Sequence, residues 1–418
     1  MPTSPTSPTA GSLVPRAPWV GRRIVLGVTA GIAAYKSVQL ARDLTRSGAR
    51  VSAVLSRSAR AFVGPLSFAG VTGERVYTRL LAAEGAALHI QLAEEADLVM
   101  VAPATADFIA RAAQGRADDL LTTILLATRA PVLLAPAMND RMFAHPQTQA
   151  NLARCREDFL YRVAGPAVGP LAAGEGEGPG RMLEPQALLD HAGRALAEGP
   201  AFLGRSVLVT AGPTREALDP VRYLGNRSSG RMGFALAREA WLRGGEVTLV
   251  TGPSALPDPT GVRTVRVETA SEMLGEVDQA IRLADVVIYA AAVADFRPSE
   301  PSAEKLKRGQ GGRLTVELVA NPDISVETRA GRLNGVVTVG FALETEDLRA
   351  GARRKLEEKG FDLVVANDPG EPGAGFEVAT NRATLLDREG GVDELPLLTK
   401  EDLASVILDR VAERLPGR

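Results

Sequence analysis

"RRIVLGVTAGIAAYKSVQLARDLTRSGARVSAVLS", Arg22 to Ser56, carries the pattern that decides the fold. Ile24 to Val28 is a short apolar run rich in β-branched residues, and Gly27 and Gly31 permit a tight turn after it. Ile32 to Ser47 has helical spacing, Gly48 stops the helix, and Val51 to Leu55 is again a strand. Strand, helix and strand in about 30 residues make a βαβ unit, which places two parallel strands side by side under a helix.

The pattern returns about 180 residues later in "RSVLVTAGPTREALDPVRYLGNRSSGRMGFALAREAWLRGGEVTLVTGP". The reading there is a strand at Val207 to Thr210, a helix from Gly230 to Arg243 and a strand at Val247 to Thr251. "ADLVMVAPATADF" (Ala96 to Phe108) and "ADVVIYAAAVADF" (Ala284 to Phe296) also match each other. Each is a strand apolar on both faces, as in parallel sheets covered by helices, and each runs into small residues and an Asp. The expectation is an α/β chain of two doubly wound, Rossmann-like domains, 21–195 and 203–418, joined by a linker at 196–202 within "AEGPAFLG". Residues 1–20, rich in Pro, Ser and Thr, read as a disordered tail.

Composition narrows the function. The formal net charge of -2 over 418 residues gives no global attraction to nucleic acid or an anionic membrane. No apolar run approaches the roughly 20 residues of a membrane helix, and the start has no signal-peptide apolar core. One cysteine, Cys155, excludes an internal disulfide, and three histidines leave little for a zinc centre. The expected location is the reducing cytoplasm.

Ligands of such sheets bind beyond the carboxyl ends of the strands. In the first domain "GVTAGIAAYK" offers the Thr29 hydroxyl, Gly31 and backbone N–H groups at a helix start, either an anion site or a plain strand-to-helix turn. "APATAD" and "PAMNDRMF" follow strands and converge on the same edge, with Asn139 able to read a carboxylate. His89 is a base or an ordinary structural histidine; His145 and His191 read as structural. Cys155 reads as a small buried residue of an amphipathic helix. The glycine run "GEGEGPGRM" precedes the linker and reads as a mobile loop of the first domain. In the second domain Asn226, Ser228, Ser229 and Gly230 form a phosphate cradle or an ordinary helix cap. Asp295 follows a strand, and "EKLKRGQGGR" reads as a basic nucleotide lid carrying Lys305, Lys307, Arg308 and Arg313, the alternative being a solvated face.

The first set of motifs resembles the flavin-dependent cysteine decarboxylase family: "APATAD" its PASANT motif, with Asp107 in place of Asn, "PAMNDRM" its PxMNxxM motif, and "GEGEGPGRM" its substrate clamp. The second set resembles the bacterial phosphopantothenate–cysteine ligase. Nearly the whole chain after the tail therefore resembles the bifunctional coenzyme A biosynthesis family. The resemblance implies FMN held by Thr29, Gly31, Pro103, Ala104, Thr105 and Asp107. It implies His89 as base, Asn139 on the substrate carboxylate, and Met138, Ala173, Gly174, Arg181 and Met182 around the substrate, with the glycine run closing over it. It gives CTP to Ala291, Asp295, Asn321, Pro322, Asp323, Ile324, Phe341, Lys355 and Lys359, with Lys305 acting on the nucleotide and Asn226 handling an acyl-cytidylate. Mg²⁺ would accompany CTP, its ligands unassigned.

The implied activity is CTP-dependent coupling of 4'-phosphopantothenate to cysteine, then decarboxylation of 4'-phosphopantothenoylcysteine to 4'-phosphopantetheine. The flavin supplies the electron sink that a simple carboxylate lacks. The family's clamp has Cys before its first glycine, where this chain has Ala173. A second reading therefore keeps the ligase but makes the flavoprotein half a binding or assembly module. A generic dinucleotide dehydrogenase lacks its GxGxxG here. The resemblance also implies trimers through the first half, dimers through the second and a dodecamer overall.

Overall fold

The computed structural model describes residues 17–81, 87–197, 201–307, 314–343, 347–368, 373, 375 and 378–416. They divide into two compact units, 17–197 and 201–416.

In the first unit six strands form one parallel sheet: β1 (Arg23–Val28), β2 (Arg50–Leu55), β3 (Val76–Tyr77), β4 (Leu98–Ala104), β5 (Val132–Pro136) and β6 (Arg162–Val163), in the order β3-β2-β1-β4-β5-β6. The order reverses between β1 and β4, so the loops after them diverge and leave a crevice at the strand ends. The expected helix is Ala34–Arg46, and β4 is buried along its whole length. Side chains from β1, β2, β4 and β5 pack with Phe108, Ile109, Leu121 and Ile124 into one core.

Two readings of this half are corrected. The boundary of the tail falls earlier than residue 20: Trp19 is 1% exposed, and its indole Nε1 donates to the Leu189 carbonyl at 3.3 Å. A large apolar side chain among prolines and serines anchors the chain there. The glycine run is a hairpin rather than a loop, with β7 (Ala167–Pro170) antiparallel to β8 (Glu177–Arg181). Alternating glycines gave no apolar pattern by which to read strands.

The second unit holds an eight-stranded sheet. Its strands are β9 (Ser206–Ala211), β12 (Glu246–Thr251), β13 (Arg263–Arg266), β14 (Val286–Tyr289), β17 (Val337–Leu343), β18 (Leu363–Asn367), β20 (Thr384–Asp387) and β21 (Val392–Glu394). The order is β13-β12-β9-β14-β17-β18-β20-β21, parallel up to β18 and antiparallel beyond it. The reversal lies between β9 and β14. Three small ladders stand outside the sheet: β10 (Arg215–Ala217) with β11 (Tyr223–Gly225), β15 (Phe296–Pro298) with β16 (Leu318–Ala320), and β19 (Thr380–Asn381) with β22 (Leu398–Thr399). Among the described residues no helix is long and apolar enough to cross a membrane.

Candidate functional sites

In the first unit the chain gathers the groups expected at the β1/β4 crevice. Thr29, 2% exposed, donates its hydroxyl to the Pro103 carbonyl at 2.7 Å and accepts from Thr105 N at 3.2 Å, which fastens the loop after β1 to the loop after β4. Thr105 caps the helix Ala106–Ala113, its hydroxyl accepting from Phe108 N. Ser37 Oγ donates to the Ala102 carbonyl at 2.6 Å. The helix Ala34–Arg46 starts with no side-chain cap; Ala34 N donates to the Gly31 carbonyl and Lys36 N to the Ala33 carbonyl, both at 3.0 Å, so its first turn is closed by backbone bonds. A Cβ on Gly31 would meet nothing within 4 Å, and Ile32 and Tyr35 beside it are exposed. Open space and apolar side chains at the positive end of a helix fit the ring and phosphate of a flavin nucleotide. Asp107, by contrast, is bound to Arg111 at 3.2 Å and faces solvent.

The hairpin packs on the Asn139 segment. Met138 N donates to the Gly180 carbonyl at 3.0 Å, and a Cβ on Gly180 would come within 2.2 Å of the Met138 carbonyl oxygen. Glycine is needed here for close approach of two backbones. Asn139 caps the helix Asp140–Ala144, its Oδ1 accepting from Arg141 N at 2.9 Å, which leaves its amide donors. Met182 is buried and Arg181 is paired with Glu184 at 2.6 Å. Lys36, 7% exposed, reaches the same Glu184 at 2.8 Å, tying the helix after β1 to the end of the hairpin. Ala173 and Gly174 lie exposed at the hairpin turn. His89 is half-buried at the start of the helix Leu88–Glu95, and its Nδ1 is buried without a partner. No hydrogen bond or ion pair among the described residues joins His89 to the other groups. Cys155 is fully buried and its thiol is pushed up to about 11 by burial, as the structural reading expected. His145 caps the helix Pro146–Glu157.

In the second unit a cavity of about 630 Å³ opens at the β9/β14 reversal. The loops that line it are fastened like those of the first unit. Thr214 N donates to the Ala292 carbonyl at 3.2 Å, Ala294 N to Thr214 Oγ1 at 2.9 Å, and Ala291 N to Thr210 Oγ1 at 3.1 Å. Asn226 donates to the same Ala292 carbonyl and accepts from Ser228 N at 3.1 Å. Gly230, at φ +80°, starts the helix Arg231–Leu242 without a side-chain cap, and a Cβ there would crowd Gly212 at 3.3 Å.

Ala291, Asp295, Asn321, Pro322, Asp323, Ile324, Phe341, Lys355 and Lys359 all line this cavity with Asn226. Asn321 Nδ2 donates to the Ala294 carbonyl at 2.8 Å, and Lys355 donates to the Phe341 carbonyl. Lys359 pairs with Asp323 at 2.7 Å, and despite partial burial that contact helps hold the carboxyl below its usual range. Lys305 is the exception: it is exposed and outside the cavity wall. Its neighbour Leu306 is held through its N–H by Asp219 at 3.1 Å and through its carbonyl by Arg222 at 2.6 Å. Arg222 and backbone N–H groups hold the Asp219 carboxyl well below the usual carboxylate range. Lys307 is also exposed; Arg308 and Arg313 lie outside the described residues. No group of three or more His, Cys, Asp or Glu among the described residues could hold a metal ion.

Both halves match known families. Residues 16–196 match the family described as Flavoprotein, and 202–415 match the DNA/pantothenate metabolism flavoprotein C-terminal domain. The coenzyme A biosynthesis bifunctional protein CoaBC of Vibrio cholerae serotype O1 is 46% identical over 399 residues, covering 94% of this chain and 99% of that protein. The CoaBC protein of Escherichia coli K12 is 45% identical, covering 94% and 97%, and that of Mycobacterium bovis 43%, covering 95% and 98%. The chain belongs to the CoaBC family of bifunctional coenzyme A biosynthesis proteins. It is an enzyme with a flavoprotein decarboxylase half followed by a ligase half.

The CoaBC cavity contains residues that the sequence did not single out. Arg231, Asn381 and Lys400 line it, two of them far along the chain from the phosphate-cradle motif. Arg231 stands inside "NRSSGRMG", where the serines and glycine drew the reading. Lys400 looks like any surface lysine at a helix start. Lys36 in the flavoprotein half was hidden the same way, since nothing in "AAYK" shows that its ammonium turns inward to Glu184.

Proposed function

We propose that the second unit couples 4'-phosphopantothenate to cysteine at the expense of CTP, and that the first decarboxylates the product to 4'-phosphopantetheine with FMN bound. The observation that supports the ligase reading most is the gathering, around one cavity, of nine residues expected on CTP together with Asn226. A carboxylate does not acylate an amine until it carries a good leaving group. In the first step the substrate carboxylate attacks the α-phosphorus of CTP and pyrophosphate leaves. In the second the cysteine amine attacks the acyl carbon, an amide forms, CMP leaves and one proton is released. Asn226 has one Nδ2–H bound to the Ala292 carbonyl, which leaves the other for the acyl-cytidylate. Lys305 stabilises charge on the α-phosphate after moving in from its exposed position. Magnesium would accompany the triphosphate and share with Lys305 in neutralising its charge.

In the first unit the start of the helix Ala34–Arg46, Thr29, Gly31 and the 103–105 loop hold the flavin. When bound it supplies an electron sink for loss of carbon dioxide. Asn139 presents amide donors to the substrate carboxylate, and the orphaned His89 Nδ1 is available to take or hold a substrate proton. The trimer-based dodecamer is proposed from the family resemblance; exposed apolar side chains such as Leu66 and Met142 are available to contacts of that kind.

Ala173, exposed and without a thiol, favours a second reading in which this half is chiefly a binding module. Anaerobic addition of 4'-phosphopantothenoylcysteine separates the two. Bleaching of the bound flavin with carbon dioxide release is the expected outcome; a flavin that stays oxidised leaves only the binding module. The ligase reading fails if CTP, 4'-phosphopantothenate and cysteine together release no CMP.

A further inference from the structure

Two arginines hold the ligase cavity together without lining it. The short turn Arg329–Gly331 follows the helix Ile324–Glu327, with the buried Thr328 between them. Arg332, just past that turn, donates from Nη2 to the Ser325 carbonyl at 2.6 Å. The same guanidinium lies over the rings of Tyr289 and Phe361, 5.6 and 5.9 Å from their centroids, and the two rings pack on each other at 5.6 Å. Its Nε is buried with no partner, so the hold is made by the flat face of the group and by Nη2. The Tyr289 hydroxyl donates to Thr328 Oγ1 at 3.1 Å, whose own proton goes to the Ile324 carbonyl at 2.6 Å. Tyr289, Ile324, Ser325 and Phe361 line the cavity, whereas Thr328 and Arg332 support them from outside its wall.

Arg329 reaches a second part of the wall. Its Nη2 donates to the Glu358 carbonyl at 2.7 Å, one of the carbonyls left open at the end of the helix Leu348–Lys359. That helix carries Lys355 and Lys359, and it ends at Gly360, at φ +60°, so that Phe361 turns back onto β17. A Cβ on Gly340 of β17 would come within 2.2 Å of the Phe361 ring, so glycine is what lets the ring lie there. Lys359 pairs with Asp323 at 2.7 Å and joins the two parts directly. A binding constellation must be held within about 0.5 Å by the groups behind it. We infer that Arg332, aided by Arg329, is a positioning residue for nucleotide binding: from outside the cavity the pair fixes the segment 321–325 against the end of the helix Leu348–Lys359, and so sets the affinity of the ligase for CTP. The inference rests on the ligase reading.

The test is steady-state CMP release and calorimetric CTP titration on the full chain and on Arg332→Met, Arg332→Lys and Arg329→Met, with melting curves to show that each is folded. Arg332→Met is expected to raise KM for CTP about tenfold and to weaken CTP binding by the same factor, the order of one charged hydrogen bond. Its kcat at saturating CTP, and its KM for 4'-phosphopantothenate and for cysteine, should stay within about twofold of wild type. Arg329→Met, which removes a more exposed contact, is expected to raise KM for CTP about threefold. Arg332→Lys can still reach the Ser325 carbonyl but cannot cover both rings, and is expected to recover part of the affinity; a Lys variant as weak as the Met variant overturns the positioning role. A purely structural role would lower kcat through the folded fraction and leave KM for CTP unchanged. That result, or an equal rise in KM for all three substrates, overturns the positioning role while wild-type CMP release keeps the ligase reading. If Arg332→Met does not fold, Arg332→Lys and Arg329→Met decide by the same criteria. Wild type that neither binds CTP nor releases CMP overturns the ligase reading and the positioning role with it.

Discussion

Lys400 holds its ammonium 2.9 Å from the Gly375 carbonyl with 5% of the residue exposed, and burial, with Arg231 nearby, pushes its pKa down to about 8. Glu401 works weakly the other way. In the unfolded chain the same lysine keeps its proton to the ordinary value of 10.5. Between those two values the unfolded state binds more protons, so wild-type stability rises with pH across that window and the penalty is complete below it. Lys400→Met is therefore expected to stabilise the ligand-free protein on the order of 1 kcal/mol at pH 7, an advantage that shrinks as pH rises toward 10. Urea unfolding at both pH values checks this, and equal midpoint shifts at the two would reject it. Ala173, exposed at the hairpin turn, brings no proton donor, and the deeply buried Cys155 cannot stand in. Ala173→Cys is expected to raise the share of fully reduced product in anaerobic single turnovers while leaving carbon dioxide release nearly unchanged, with product mass and flavin absorbance as the readout.

Among the elements, the hairpin β7–β8 carries two kinds of glycine. Gly174 and Gly176, at φ +85° and +82°, make its turn, whereas Gly180 lets its second strand lie against the Met138 carbonyl. Gly180→Ala must separate the hairpin from the Asn139 segment, so decarboxylation should fall steeply while CMP release is untouched, with a stability loss of about 1–3 kcal/mol. Parallel rates for both activities would refute that placement. Asp219 plays the corresponding part for Lys305, fastening Leu306 from a buried position. Asp219→Ala should speed tryptic cleavage after Lys305 and Lys307 and slow nucleotide activation, whereas unchanged cleavage would show the anchor to be idle. The regular elements were legible because burial on both faces leaves apolar runs in β4 and β14, and because Gly48 and Gly230 mark helix ends. The hairpin was not, since a strand made of glycine and proline carries no alternation. The cavity wall from Asn381 to Lys400 was not legible either, because a two-residue ladder leaves no periodic trace and brings together residues chosen for where the chain turns.

At the scale of the whole molecule, the duplicated reversal of strand order, between β1 and β4 and again between β9 and β14, gives each half its own crevice. Each sheet also has its own core: Val99, Phe108 and Leu121 belong to the first, Leu208, Val287 and Ile281 to the second. A ligand that binds one folded unit stabilises it by mass action, about 2.7 kcal/mol at a hundred times its dissociation constant. CTP should therefore raise the melting transition of the ligase half, and added FMN that of the flavoprotein half. The assignment can be made inside the full chain. Asp295→Ala, in the ligase cavity, should abolish the shift caused by CTP and leave the shift caused by FMN, while Thr29→Val, at the β1/β4 crevice, should do the reverse. Scanning calorimetry with each ligand on each variant gives four measurements. If both transitions move together with either ligand, the halves unfold as one cooperative body; the separate-crevice account itself fails if Asp295→Ala abolishes the shift caused by FMN or Thr29→Val the shift caused by CTP. If only the matching transition moves each time, the two chemistries are energetically separable within one chain, and inhibition of one half leaves the stability of the other unchanged.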